Sequence, residues 1–245
     1  MGLTIHYSLR SNLPKPKQAR ILVAALRRRA QDLPFDSVGE IIERSGPECD
    51  FKKCGDDDPH RWLLIQAGQY VELPGSEGRY SFSVAPTELI AFETFPGPGC
   101  EPANLGLCRY PAVIEVDDPE HRGSKRRLRT KLSGWRWSSF CKTQYASNLE
   151  AGGVTNFLRC HLAVVRLLDY AKQINILDNV HDEGEFWENR DVKMLSQQVG
   201  HWNETVAAEF GKLKDGVGDG LVAEMTKHPI FELLNPRGRD AAKAS

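Results

Sequence analysis

Five carboxylates, Asp182, Glu183, Glu185, Glu188 and Asp191, fall within residues 181–191 beside Arg190, Phe186 and Trp187. Crowded like charges cost stability unless a cation, a basic side chain or a shared proton compensates, and such compensation is how acid–base and binding sites are built. The pattern singles out Asp182, Glu183 and Arg190 as candidate working residues, with Lys142 as the candidate compensating cation. A structural account competes with it. There the aromatics anchor a loop, the acids favour the N-terminus of a following helix, and Arg190 forms a surface pair.

Three further groupings could do chemistry. Gly152 and Gly153 precede a predicted helix N-terminus with Arg159 one turn inside, an arrangement able to take a phosphate or carboxylate; a plain turn with a cap competes with this reading. Residues 122–131 hold six Lys or Arg and no acid. Arg126, Arg127 and Arg129 are the nucleic-acid candidates there, yet the arm has no aromatic residue for base stacking, so a solvated hairpin arm is the preferred reading. Cys49 and Cys54 are the one pair whose spacing approaches a zinc knuckle, with Asp56, Asp57, Asp58 and His60 nearby. Their four-residue gap exceeds the usual two, and no metal is expected. In a chain of 245 residues without an export signal, the six cysteines read as reduced thiols. No nucleotide fingerprint or catalytic triad stands out, and no cofactor is implied.

These residues need a scaffold, and residues 135–176 define its centre. The segment 135–146 is rich in aromatics and suits a half-buried strand. A period of two sends Trp135, Trp137, Ser139, Cys141, Thr143 and Tyr145 to one face, expected to be core, and Arg136, Ser138, Phe140, Lys142 and Gln144 to the other. Lys142 is thereby separated from Cys141, which reads as a buried small hydrophobe rather than an activated nucleophile. Next comes a helix from Thr155 or Asn156 to about Ile174, capped by one of those two side chains. Apolar residues cover most of its circumference, so it is buried. Its polar stripe is Arg159, Arg166, Asp169 and Gln173, with Arg166 and Asp169 spaced to pair. His161 lies among Phe157, Val164, Val165 and Leu168, the place of a satisfied core histidine.

Around this centre the pattern predicts a strand over residues 3–9 and a helix over 16–31. The helix has proline in its first turn and Arg27, Arg28 and Arg29 at its end, where cations suit the dipole. Strands are expected at 37–44, 62–67, 80–84, 88–95, 105–110 and 112–116, and a helix from Asn189 carries Val192, Leu195, Val199, Trp202, Val206, Phe210 and Leu213 at helical spacing. The order implies an α+β domain over residues 1–235, its mixed or mainly antiparallel sheet covered by about three main helices, with a flexible tail at 236–245.

A net charge of −1 gives no global attraction to nucleic acid or an anionic membrane. No apolar run approaches the ~20 residues that span a bilayer. The opening Met-Gly-Leu-Thr-Ile-His-Tyr lacks the basic and apolar regions of a signal peptide, so a cytoplasmic protein without membrane partners is expected. The preferred function is binding of an unknown small molecule or protein without catalysis. A hydrolase or transferase acting on an anionic substrate is the first alternative. A nucleic-acid-binding protein using the arm at 122–131 is the second.

Overall fold

The computed structural model describes residues 3–75, 78–121 and 123–200. The chain opens with strand β1 (Thr4–Ser11), helix α1 (Pro16–Gln31) and strands β2 (Ser37–Val38) and β3 (Ile42–Ser45). Helix α2 (Arg61–Ala67) leads into the hairpin β4 (Gln69–Gly75) and β5 (Gly78–Val84). Strands β6 (Glu88–Phe92), β7 (Thr94–Phe95), β8 (Leu105–Arg109), β9 (Val113–Asp117), β10 (Lys125–Arg129) and β11 (Trp135–Lys142) follow. Helix α3 (Gly153–Gln173), strand β12 (Leu177–Asp182) and the single turn α4 (Phe186–Asn189) come next, and residues 192–200 are helical.

Six strands form the main sheet in the order β12-β1-β11-β8-β6-β3, and every neighbouring pair is antiparallel. The α+β class with a mainly antiparallel sheet is therefore what the sequence pattern implied. Alternating directions make β1 and β3 run the same way although three strands separate them, so α1 crosses the sheet to join them. It packs on β6, β8 and α3 as it does so. Its start follows from Pro16, whose missing N–H costs nothing in a first turn, and Arg28 and Arg29 occupy its last turn.

The core face of the sheet carries Ile5, Tyr7 and Leu9 of β1 and Trp135, Trp137 and Cys141 of β11, all buried. Two polar groups brought inside share one acceptor: the Tyr7 hydroxyl and the Trp137 indole N–H both donate to Asn104 O, at 2.7 and 2.9 Å. Under the β6–β8 half the other face is buried too, through Leu89, Ala91 and Cys108. Gly106 allows this crowding, because a Cβ there would lie 2.4 Å from that of Ala91. Over β1, β11 and β12 that second face is open.

Several elements depart from expectation. Residues 62–67 form helix rather than strand, with Leu63, Leu64 and Ala67 buried along one side. The stretch 37–44 splits into β2 and β3, which pair with β7 and β6 respectively. Strand β11 stops at Lys142, and the 3-10 turn Gln144–Ser147 reverses the expected alternation, burying Gln144 and exposing Tyr145. Helix α3 begins two residues early, with Gly152 in a left-handed conformation (φ 108°) as its cap. Neither Thr155 nor Asn156 caps it; the Asn156 amide donates to Pro98 O and Ala146 O. The last expected helix starts at residue 192, after the separate turn α4. Its continuation past residue 200, including Trp202, Val206, Phe210 and Leu213, and the tail at 236–245 lie outside the described residues.

Candidate functional site

Strand β12 delivers Asp182 to the interior, where it is 2% exposed. One carboxylate oxygen accepts from Gly184 N at 2.9 Å; the other accepts from Trp187 N at 3.0 Å and lies 3.1 Å from His161 Nε2. Burial pushes this carboxyl up, but the imidazole and the two backbone N–H groups outweigh burial and hold it below the usual carboxylate range. An ionised carboxylate only accepts, so Nε2 carries a proton, and Nδ1 faces the Thr143 hydroxyl at 3.0 Å. Hydroxyl, imidazole and carboxylate thus stand in the order of a nucleophilic triad. Both Thr143 and His161 are 0% exposed, so no substrate reaches that hydroxyl. The trio instead ties the end of β11, helix α3 and the end of β12 together, and His161 is the satisfied core histidine its neighbours imply.

The remaining members of the 181–191 group take separate tasks. Glu183 exchanges bonds with Thr4: its N–H donates to Thr4 O at 3.0 Å and its carboxylate accepts from Thr4 N at 3.0 Å. Asp191 Oδ1 accepts from Lys193 N at 2.8 Å and Met194 N at 3.1 Å, an N-cap for the helix at 192–200. Arg190 makes a two-pronged pair with Asp169 of α3, both contacts 2.8 Å, and its guanidinium lies 4.6 Å from the Trp187 ring centre. Asp169 is thus claimed by Arg190 rather than by Arg166. Lys142 compensates none of these acids; its ammonium lies over the Tyr145 ring at 4.8 Å.

The other candidates are also redistributed. Arg159 is committed to Asp36 at 2.9 Å, Pro34 O at 2.6 Å and Asn156 Oδ1 at 2.8 Å, while Gly153 N donates to Asn148 O at 2.8 Å. The candidate anion site at Gly152, Gly153 and Arg159 therefore loses its cation. Cys54 donates to Phe51 O at 3.0 Å, and burial pushes the Cys49 thiol up to about 11, so this pair is poorly disposed to give two thiolates. All six cysteines are free, and no group of three or more potential metal ligands gathers among the described residues. The basic arm is the hairpin β9–β10, with Lys125 paired to Glu115 at 3.5 Å and Arg126, Arg127 and Arg129 exposed.

A site that spacing alone did not name lies where α1 passes α3. Arg28, Arg29 and Asp32 from the end of α1 and Arg166, Asp169, Tyr170 and Gln173 from α3 line a groove of about 620 Å³, a volume typical of small-ligand clefts. Asp169 is neutralised by Arg190. Arg28, Arg29 and Arg166 make no ion pair among the described residues, which leaves Asp32 as the one unpaired carboxylate facing three guanidinium groups. The arginines at the end of α1 and the polar stripe of α3 were each visible in the sequence; their meeting was not.

The scaffold defines an α+β protein with a six-stranded antiparallel sheet. Comparison with protein-family models, with curated proteins and with solved structures gave no match for this chain. Among the described residues no helix is long and apolar enough to cross a membrane.

Proposed function

We propose that the protein is a non-catalytic binding protein whose α1–α3 groove takes a small anionic molecule bearing at least two phosphate or carboxylate groups. The observation that carries this reading is the convergence of Arg28, Arg29 and Arg166, three guanidinium groups without carboxylate partners among the described residues, on one groove. Guanidinium presents a planar fork of donors that matches phosphate and carboxylate oxygens, and charge-assisted bonds of this kind are the stronger ones. A dipole role accounts for Arg28 and Arg29 at the end of α1 but not for Arg166, which sits mid-helix on α3. The hydrolase or transferase alternative draws on the same anion affinity, but it needs an accessible acid–base pair in the groove, and the hydroxyl–imidazole–carboxylate trio is sealed in the core.

Calorimetric titration with inorganic pyrophosphate and with citrate tests the reading. Wild type should bind at least one of them; Arg28→Ala or Arg166→Ala alone should weaken binding about tenfold to a hundredfold, on ~1.5–3 kcal/mol per lost charged hydrogen bond, and the two together by about a hundredfold or more. Equal binding by wild type and the double variant, or none by either, would end the proposal.

A further inference from the structure

The open face of the sheet has an order that folding does not require. Because side chains alternate, and the register holds along all of β1–β11 and from Ile5 to Ser8 in β1–β12 before it shifts, this face carries two rows that run across three strands. His181, His6 and Phe140 form one row; Asn179, Ser8 and Ser138 form the next; Arg10 and Arg136 stand directly opposite each other beyond them. The rings of His6 and His181 are stacked, with centres 6.1 Å apart and planes 21° apart, and the His6 and Phe140 ring centres are 5.8 Å apart. Phe140 is 40% exposed. Tyr70 of β4, 71% exposed, overlooks the row, and with Gln66 and Gln69 it walls a concavity of about 380 Å³ that includes His6, Ser138, Phe140 and Asn179.

Two features here cost stability unless something is bound. Like charges directly opposite on an antiparallel pair repel, and among the described residues neither Arg10 nor Arg136 has an ion-pair partner; Arg136 donates to Ser133 O at 3.1 Å. Four rings in or beside water forgo the burial that would make them useful to the core. Both features suit one class of partner. Unpaired bases stack on exposed rings, while phosphates answer the arginines; the rings gather on one sheet face, where bases free of a duplex can meet them.

We propose that this face binds single-stranded nucleic acid, with bases stacked on His181, His6, Phe140 and Tyr70 and the sugar-phosphate chain running over Arg10 and Arg136. The aromatic row and the arginine pair are four residues apart along β1, about 13 Å at the rise of an extended strand. The hairpin β9–β10 extends this track. It connects β8 to β11 and leaves the sheet at the end where Arg136 pairs with Cys108, so Arg126, Arg127 and Arg129 continue from the arginine end of the platform. The arm lacked aromatics in its own sequence; the sheet supplies them. The polar middle row offers Ser8, Ser138 and Asn179 to base edges, with Asp178, bonded to Ser8 at 3.5 Å, at the β12 margin. The proposal is independent of the α1–α3 groove, since it uses other residues.

The test is fluorescence anisotropy with short single-stranded RNA and DNA oligonucleotides of one mixed sequence, alongside the matching DNA duplex. Wild type should bind at least one single strand more tightly than the duplex, and comparing RNA with DNA shows which sugar is preferred. Phe140→Ala should weaken that binding roughly fivefold to a hundredfold, the range for one lost base stack, with Phe140→Leu, which keeps an apolar side chain, doing the same if stacking is the cause. Arg10→Gln with Arg136→Gln should reduce the slope of log affinity against log salt by about 1.4, two phosphate contacts on a single strand. Arg28→Ala, in the groove, should leave oligonucleotide affinity unchanged. Binding that prefers the duplex, binding indifferent to both Phe140 variants, or no binding by wild type would each overturn the proposal, as would loss of all affinity on neutralising Arg126, Arg127 and Arg129 alone.

Discussion

Asp182 shows how one buried charge can be held by backbone N–H groups and an imidazole in place of water. Its carboxylate accepts two backbone N–H groups and faces an imidazole 3.1 Å away, so the charged form is favoured in spite of burial. Its folded-state pKa is depressed, and the unfolded chain therefore binds more protons in the window between the depressed value and the ordinary ~3.9. The stability Asp182 contributes is fully present above ~4 and is lost as pH falls through the folded value. Asp182→Asn should lower stability at neutral pH by about 2–4 kcal/mol, because an amide donor replaces an acceptor among donors. Urea unfolding from pH 7 down to 3 should also show a shallower acid loss in the variant than in wild type. An equal acid slope in the two proteins would mean that other carboxylates carry the effect. Asp182 stood out in the sequence through its charged neighbours, but its partner His161 lies 21 residues earlier on a helix. The same composition fits a working acid or a locked one, and distance along the chain gives no clue to which.

At the scale of elements, the acid cluster divides by position. Asp182 ends β12, Glu183 fastens β12 to β1, and Asp191 caps the helix at 192–200. The cap is a local device: a short side-chain oxygen satisfies N–H groups that have no carbonyl partner in the first turn. Asp191→Ala should cost about 1 kcal/mol, and Asp191→Ser should recover most of it, measured as urea midpoints. A loss on Asp191→Ala that Ser does not restore would point away from capping. Local reading succeeded where periodicity was long, as in α1, whose bounds at residues 16–31 follow from Pro16 and the apolar spacing. It failed at residues 62–67, because six residues hold too few periods to separate a helical stripe from a buried strand. It failed again at Gln144 and Tyr145, where alternation was carried past the end of β11 into a 3-10 turn.

At the scale of the whole molecule, the crossing of α1 over the sheet creates the arginine groove, and Arg190 conditions it from a distant part of the chain. By pairing with Asp169 on both prongs, Arg190 removes one negative charge from the groove wall. Arg190→Ala should change the melting temperature little, since the pair is substantially exposed. It should nevertheless weaken pyrophosphate binding several-fold by freeing Asp169 to repel the anion, and Asp169→Asn in the same chain should restore binding. A variant that loses stability and affinity together, without rescue by Asp169→Asn, would make the pair a structural clamp only.

Sequence alone was enough to determine the α+β class, the central strand with its buried tryptophans, the long buried helix and the core setting of His161, because each rests on local periodicity and on what water excludes. It also showed the charged groups of every candidate site. Only the tertiary structure decided which of them meet. It sealed Asp182 against His161 and Thr143, gave Arg159 to Asp36 and Arg190 to Asp169, and left Arg28, Arg29 and Arg166 facing one groove. It also set His181, His6 and Phe140 in one row, although they come from three strands separated by more than a hundred residues at the widest. The physical reason is that backbone preferences act over a few residues, whereas ion pairing and stacking act over a few ångströms, and only the packed chain relates the two scales.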